Sequence, residues 1–175
     1  RRPGILTGGL DIATMFPYIV PGSVLGISLI TAFNQKPLMI AGTAAIIVVA
    51  FTIKRMPYTI RSSAAILRQT GISVEEASLS LGASKIKTFF RVTLPMMGAG
   101  VISGAIMSWI TIITELSSSI LLYTGKTKTM TIAIYSEVIR GNYGIAAALS
   151  TILTVITICS IFILFKVTGT REISM

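Results

Sequence analysis

The chain has 175 residues, of which 53% are hydrophobic and only 12% are charged, and its formal net charge is +9. Soluble domains carry about 25% charged residues, so this deficit of charge indicates an integral membrane protein. The absence of histidine and the single aspartate, Asp11, exclude Ser-His dyads, histidine metal sites and an intramembrane aspartate dyad within this chain. The sequence TGKT at 124–127 lacks the earlier glycine of a phosphate-binding loop and predicts a polar turn. We therefore predict that the chain is not an enzyme.

Long charge-poor runs predict four membrane spans, because about 18 or more apolar residues can cross a bilayer. The spans cover approximately residues 10–33, 38–56, 95–116 and 143–165. The second is short for a hydrocarbon core of about 30 Å, so we expect Lys54 and Arg55 to snorkel at its end. The sequence NQKP at 34–37 predicts a tight turn that joins the first two spans as a hairpin. The predicted fold class is all-α, with about four transmembrane helices.

Basic residues are distributed unequally between the connections. Eleven lie in the two termini and residues 54–94, against four in the other connections. The positive-inside rule therefore places both termini and the 54–94 loop in the cytoplasm, and residues 117–142 outside. Nucleic-acid binding explains this charge poorly, because it requires basic and aromatic residues interleaved on a soluble surface.

The segment EEASLSLGASKIKTFFRVTLP, residues 75–95, is polar and basic between two apolar runs. Ser73 and Glu76 have the spacing of a capping box, which predicts a helix that begins there and ends at Gly82. Ser84 predicts the cap of a second short helix over residues 85–92, and Pro95 the start of the third span. The apolar face of the second helix comprises Ile86, Phe89 and Phe90. Such a helix either rests on anionic lipid or docks on a cytosolic protein.

The pattern EAS-x3-G-x9-V-x-LP, residues 76–95, resembles the EAA loop of ABC importer permeases. The family pattern is EAA-x3-G-x9-I-x-LP, so this chain departs from it at Ser78 and Val92. In that family the loop is the coupling helix, which lies in a groove of the ATPase subunit. The resemblance implies a MetI-like permease fold, a single domain over residues 1–175, no cofactor and ATP hydrolysis in a separate subunit. It also implies a coupling contact that includes Glu75, Glu76, Ala77, Gly82, Ala83, Lys85, Phe89, Phe90, Leu94 and Pro95. For Glu76, a role in the helix cap is equally open.

The third span carries small and polar residues at helical spacing. The stripe consists of Gly100, Gly104, Ser108, Thr111, Glu115 and Ser118. Its two glycines suit close helix packing, and its polar members should face the bundle interior or a water-filled path. In the first span two prolines predict a kink or break. The candidate translocation path comprises Pro17, Pro21, Ser108, Thr111, Glu115 and Ser118. A packed kink at the prolines and a solvated Glu115 near the outer mouth remain open.

The outer segment, with a short helix at 129–139, resembles permeases of the ferric-iron import group, and phosphonate and thiamine permeases closely follow. Those subunits often fuse two halves in one chain, and the start at Arg1 then suggests a C-terminal half. The resemblance implies import of iron(III), with phosphonate or another anion, thiamine and polyamine as alternatives. Implied partners are an ABC ATPase, an extracytoplasmic solute-binding protein and a second permease half or copy, all at a bacterial inner membrane. The alternative from another class is a membrane scaffold that recruits a cytosolic protein and transports nothing.

Overall fold

The computed structural model describes residues 4–168, and within this range the chain is helical and contains no β-strand. The prediction of an all-α fold is confirmed. The elements are α1 (Ile5–Ile19), α2 (Gly22–Phe33), α3 (Ala44–Gln69), α4 (Ser73–Ser80), α5 (Lys85–Thr88), a π-helical turn (Phe89–Thr93), α6 (Leu94–Met96), α7 (Gly98–Ile113), α8 (Ser119–Leu122), α9 (Met130–Ile139) and α10 (Tyr143–Thr168). The terminal arginines Arg1, Arg2 and Arg171, which contribute to the predicted cytoplasmic charge, lie outside the described residues.

The first apolar run is divided into α1 and α2, which are bent by 101° relative to each other. A proline disfavours helical geometry in the residue before it, and Val20 is accordingly extended, with φ −65° and ψ 125°. Pro21, which follows, is the N-cap of α2. Pro17, in contrast, lies inside α1. The predicted break is therefore confirmed at Pro21, and a straight helix over residues 10–33 is excluded.

Helix α3 departs furthest from the predicted spans. It begins at Ala44 rather than Leu38, because residues 34–43 form an irregular connection, and it continues unbroken to Gln69. Lys54 and Arg55 therefore lie inside a helix of 26 residues, and their side chains are only 12% and 11% exposed. The prediction that they snorkel at the end of a span, and that a loop begins at residue 54, is wrong. The physical reason is a carboxylate that pairs with both cations, described below.

Two glycines set the distance between α3 and α7. A Cβ added to Gly100 would lie 2.5 Å from the Cα of Ser63, and one added to Gly104 would lie 2.4 Å from the Cα of Thr59. Any residue larger than glycine would therefore collide with the backbone of α3. The predicted close packing of this glycine pair is confirmed, and its partner is α3 of the same chain. A second contact region, between α2, α3 and α8, buries Leu29, Ile46, Ile47, Ala50 and Leu122.

Among the described helices, α10 alone is long and apolar enough to cross a membrane unaided. An 18-residue window within Tyr143–Lys166 has a mean hydropathy of 2.5, and none of that window is buried. Two bent pairs satisfy the same criteria together: α1 with α2, and the helical run Lys85–Met96 with α7, bent by 47°. The predicted span 10–33 thus corresponds to the bent pair of α1 and α2, and the span 38–56 to part of α3. The span 95–116 corresponds to the end of the Lys85–Met96 run with α7, and the span 143–165 to α10.

The bend before α7 occurs close to Pro95. Proline lacks an N–H group, and its ring collides with the carbonyl four residues earlier in a regular helix. The helix widens there into the π turn, so that the N–H group of Leu94 donates to the carbonyl of Phe89, five residues back. Pro95 therefore lies within α6, and the predicted start of the third span at Pro95 moves to Gly98.

Candidate functional site

The segment with the EAA spacing folds as two short helices, α4 and α5, that meet at Gly82. This glycine has φ +84°, in the left-handed region that glycine adopts readily. Its N–H group donates to the carbonyl of Leu79 at 2.9 Å, and that of Ala83 donates to the carbonyl of Ser78 at 3.2 Å. These two bonds form a Schellman motif. The predicted end of the first helix at Gly82 is therefore confirmed.

The two predicted helix starts have different outcomes. Ser84 caps α5, because its Oγ accepts from the N–H group of Lys87 at 3.3 Å. The capping box of Ser73 and Glu76 is not formed, and that prediction is wrong. Ile72 already has helical geometry, and its carbonyl accepts from the N–H group of Glu76 at 3.1 Å. Ser73 is thus the first helical residue rather than the cap, which leaves the exposed Glu76 side chain without a capping role.

Two side-chain hydrogen bonds tie α4 to the run that follows it. The hydroxyl oxygens of Ser78 and Thr88 are 3.0 Å apart, and Thr93 Oγ1 donates to Glu75 Oε1 at 2.9 Å. Both threonines are buried. Ser78, a departure from the family pattern, therefore has a structural partner. Thr88 and Thr93 were not predicted as site residues. The available signal was their spacing of five residues within the helical run that follows α4.

This segment exposes both apolar and basic side chains. The four most exposed large apolar side chains of residues 75–95, here called the coupling surface, are Leu81, Ile86, Phe89 and Phe90. Leu81 is 89% exposed and was not predicted as a site residue. The two phenylalanine rings meet edge to face, with centroids 5.3 Å apart. Glu76, Ala77, Lys85, Leu94 and Pro95 are also exposed, as are the basic residues Arg68, Lys87 and Arg91.

A second polar site lies between α3 and the end of α7. Lys54 Nζ is 3.2 Å from Glu115 Oε1 and 3.3 Å from Oε2, and Arg55 Nη2 donates to Oε2 at 2.6 Å. Ser118 donates to Oε1 from its N–H group at 3.1 Å and from its hydroxyl at 3.2 Å. The Glu115 side chain is only 6% exposed, which excludes the solvated alternative. Lys54, Arg55 and Glu115 are called the ion cluster below.

The polar stripe of α7 converges on the ion cluster. Arg55 Nη2 also donates to the carbonyl of Thr111 at 3.0 Å, and Ser108 Oγ lies 3.4 Å from the carbonyl of Arg55. The structure therefore brings together four of the six predicted path residues, Ser108, Thr111, Glu115 and Ser118, and turns them toward α3. Pro17 and Pro21 belong to the α1–α2 region. Gly22, directly after Pro21, lies against the cluster, because a Cβ added to this glycine would be 2.7 Å from Lys54 Nζ.

The ion cluster is far from the coupling surface. At 1.5 Å per residue, Lys54 lies about 22 Å along α3 from Gln69, where the chain leaves for α4. Ile113, where α7 ends two residues before Glu115, lies about 22 Å along α7 from Gly98. The distances along α3 and along α7 from the ion cluster toward α4 and α5 are therefore nearly the same. The ion cluster is therefore remote from α4 and α5 along both helices.

The segment between α7 and α10 folds as predicted around the short helix α9. Thr129 caps this helix, and Gly141 ends it with φ +78°. Asn142 Nδ2 donates to Glu137 Oε2 at 2.7 Å, and this bond lowers the pKa of the Glu137 carboxyl below its usual range. The TGKT sequence forms the predicted turn, in which the N–H group of Thr127 donates to the carbonyl of Thr124. A cavity of about 250 Å³ is lined by Ile120, Tyr123, Ile132, Tyr135, Ser136, Ile139 and Arg140.

Comparison with known proteins supports the resemblance. Residues 1–168 match the family model "Binding-protein-dependent transport system inner membrane component". The chain is 34% identical over 164 residues to the ferric transport system permease protein FbpB of Actinobacillus pleuropneumoniae, covering 94% of this chain and 24% of that protein. It is 37% identical over 119 residues to a provisionally named ferric permease, FbpB 1 of Haemophilus influenzae, covering 68% of this chain and 19% of that protein.

A permease with a different named substrate is also similar. The provisionally named 2-aminoethylphosphonate transport system permease protein PhnV of Salmonella paratyphi A is 29% identical over 159 residues, which is 90% of this chain and 60% of that protein. The chain thus spans about a quarter or less of the two ferric relatives. Permeases of this kind are transport subunits of ABC systems rather than enzymes. The chain belongs to the family of inner-membrane components of binding-protein-dependent transport systems.

Proposed function

We propose that this chain forms part of the translocation path of an ATP-driven importer and that its coupling surface docks on an ABC ATPase subunit. The observation that carries the proposal is the coupling surface itself. Four exposed apolar side chains stand on a segment that is tied internally by the Ser78–Thr88 and Glu75–Thr93 hydrogen bonds. An exposed apolar patch with a polar rim is typical of a protein contact. The EAA spacing supports an ABC ATPase as its partner.

The charge around the coupling surface supports a cytoplasmic location. Arg68, Lys85, Lys87 and Arg91 are all exposed beside it. Membrane proteins place excess lysine and arginine on the cytoplasmic side. Removing Lys54 and Arg55 from the count, since they are buried at depth, still leaves the majority of basic residues on this side. We therefore propose that α4 and α5 are cytoplasmic, that both chain termini share this side and that residues 117–142 face outward.

The connections of α4 and α5 support transmission of ATPase movement to the proposed transport path. Residues 70–72 join α4 directly to α3, and α5 continues through the π turn and α6 toward α7. Gly100 and Gly104 hold α3 and α7 in backbone contact. A displacement of α4 and α5 therefore moves both helices, and with them the ion cluster at their far ends.

For the substrate we propose iron(III), because two of the similar permeases are named for ferric transport. The phosphonate permease is the second candidate, at lower identity over a similar share of this chain. Residues 4–168 contain no group of three or more histidine, cysteine or acidic residues that could hold a metal ion. Selection of the substrate is therefore assigned to an extracytoplasmic solute-binding protein, with a second permease half or copy completing the path.

A single-cysteine crosslink tests the docking proposal. In the full-length permease with Cys159→Ser, we expect Phe89→Cys to crosslink to the ABC ATPase in native membranes, with a yield that changes when ATP is trapped. Ile139→Cys is the control and should capture no ATPase, because Ile139 is 69% exposed, against 47% for Phe89, and lies in the segment proposed to face outward. Failure of a solvent-reactive Phe89→Cys to crosslink would favour the helix resting on lipid. A crosslink indifferent to ATP, in membranes without transport, would favour the scaffold.

Replacing the glycine between α4 and α5 should uncouple transport without removing the protein from the membrane. Gly82→Ala forces alanine into the left-handed region at a cost of about 1–2 kcal/mol, which weakens the end of α4. We expect a severalfold loss of ATP-driven uptake at an unchanged amount of permease. Gly125→Ala, where a Cβ meets nothing within 4 Å and φ is not positive, should leave uptake unchanged. Equal uptake by both variants would contradict the importance of this turn.

A further inference from the structure

The ion cluster carries an excess of positive charge. Lys54 and Arg55 are two cations, and Glu115 is their one shared anion. The other groups that face them are neutral: Ser108, Thr111, Ser118 and the ring of Tyr58, whose centroid lies 5.9 Å from Arg55 Cζ. Across residues 4–168, no second acidic side chain forms an ion pair with either cation. A net charge held away from water at this depth is unfavourable unless a further partner offsets it.

Arg55 also has a donor that the fold leaves unused. Its Nε is buried and has no hydrogen-bond partner within the described part of the chain. A buried donor without an acceptor costs free energy, and more so when the group is charged. The ammonium of Lys54 has three donor hydrogens, and both of its contacts here go to the one carboxylate of Glu115. The cluster therefore has capacity for more acceptor oxygens than the fold supplies.

The start of α2 adds to the positive potential. Gly22 lies so close that its added Cβ would be 2.7 Å from Lys54 Nζ. The N-cap of this helix is Pro21, which provides no side-chain acceptor for the free N–H groups of the first turn. A helix of 12 residues carries a partial positive charge at that end. The additional charge has the same sign as the excess on the cluster.

The geometry around Glu115 shows which kind of ligand fits. Two cationic donors and two donors of Ser118 converge on a single carboxylate at 2.6–3.3 Å. Such convergent, charge-assisted bonds are the usual means of binding carboxylate, phosphate or phosphonate oxygens. We propose that the ion cluster binds an anionic group of the transported compound, which joins or replaces Glu115 on Lys54 and Arg55.

This inference rests on the proposed transport function and narrows its substrate class. A bare metal cation, thiamine or a polyamine is repelled, because the single carboxylate of Glu115 only partly offsets the positive charges of Lys54 and Arg55. An organophosphonate is attracted, and iron(III) is attracted only as a complex whose ligands make it anionic. The surface cation Arg140 offers a comparison, because its partner Glu137 balances it fully and its side chain is 65% exposed.

Thermal unfolding of the purified full-length permease tests the site. The melting temperature is measured against sodium methylphosphonate, with sodium chloride at equal ionic strength as the reference and sodium acetate as a second anion. We expect a saturable rise in the native protein and in Arg140→Gln, and no rise in Arg55→Gln. Glu115→Gln keeps both cations and removes the competing carboxylate. In this variant the methylphosphonate concentration that gives half of the maximal rise in melting temperature should fall about tenfold.

The outcomes separate this inference from the transport proposal. An equal response in native protein, Arg55→Gln and Glu115→Gln would mean non-specific salt stabilisation and overturn the anion site. No response in native protein and Glu115→Gln would overturn it as well, and would indicate that an acidic residue of another subunit supplies the missing charge. If neither Arg55→Gln nor Glu115→Gln folds, the native protein still decides: a saturable rise beyond that in sodium chloride of equal ionic strength supports the anion site, and its absence overturns it. The Phe89 crosslink depends on none of these results, so either proposal can fail alone.

Discussion

Glu115→Ala is expected to lower the free energy of unfolding by about 3–5 kcal/mol, the usual cost of removing one partner from a buried ion pair. The substitution leaves Lys54 and Arg55 side by side without their carboxylate and removes the acceptor of Ser118. Because the net stability of a domain is about 5–15 kcal/mol, most of the permease should fail to accumulate in the membrane. The measurements are membrane abundance and thermal unfolding in detergent.

The matched control is Glu137→Ala, which removes the pair with the exposed Arg140 and the hydrogen bond from Asn142. Ion pairs at a protein surface contribute little to stability, so this variant should stay much closer to native stability than Glu115→Ala. Comparable stability of the two variants would mean that the ion cluster is hydrated in the membrane and that its carboxylate is dispensable. Replacing both cations together with Glu115 by apolar residues of similar size should recover much of the lost stability, because no buried charge then remains.

Gly104→Leu is expected to prevent α3 and α7 from packing. Even the first carbon of the new side chain would lie 2.4 Å from the Cα of Thr59, and backbone at that distance cannot yield by rotating a side chain. Overpacking typically costs about 1–3 kcal/mol, and we expect the upper end or more here because the obstacle is backbone. Gly104→Ala should show a smaller defect of the same kind. Thermal unfolding and ATP-driven uptake should fall together.

Gly98→Ala is the matched control for this pair, since Gly98 lies in the same helix and its added Cβ meets nothing within 4 Å. Alanine favours helix over glycine by about 0.5–1 kcal/mol, so this variant should be as stable as the native protein or slightly more stable. Tolerance of leucine at position 104 would show that α3 and α7 do not meet along this face.

Local signals in the sequence predicted those features that depend on a few neighbouring residues. The glycine stop at Gly82, the Ser84 cap and the break at Pro21 each follow from the backbone preferences of one residue. The glycine pair of α7 was predicted as a packing face, since small residues four apart have few other uses in an apolar helix. The EAA spacing located the coupling surface, although not Leu81.

Features that depend on distant pairing were predicted wrongly or missed. Lys54 and Arg55 were placed at the end of a span because charged residues normally avoid the bilayer. Their burial depends on Glu115, about sixty residues later, and no local pattern reports such a partner. The capping box failed for a local reason: the motif fits Ser73, but the neighbouring Ile72 already has helical geometry, so the helix begins one residue too early for Ser73 to cap it. The polar stripe of α7 was recognised, whereas α3 as its counterpart was not.

The glycine contact between α3 and α7 gives the permease the mechanics of a lever. Two helices joined backbone to backbone cannot slide past each other, so they tilt as one stiff arm with the proposed ATPase contact at one end. Over about 22 Å of α3, a tilt of ~10° moves the far end by ~4 Å. Hydrogen bonds at the ion cluster of 2.6–3.3 Å do not survive such a displacement unless every partner moves together. A tilt of this arm therefore keeps Lys54, Arg55 and Glu115 together and changes their distance from the start of α2, where Gly22 lies against Lys54.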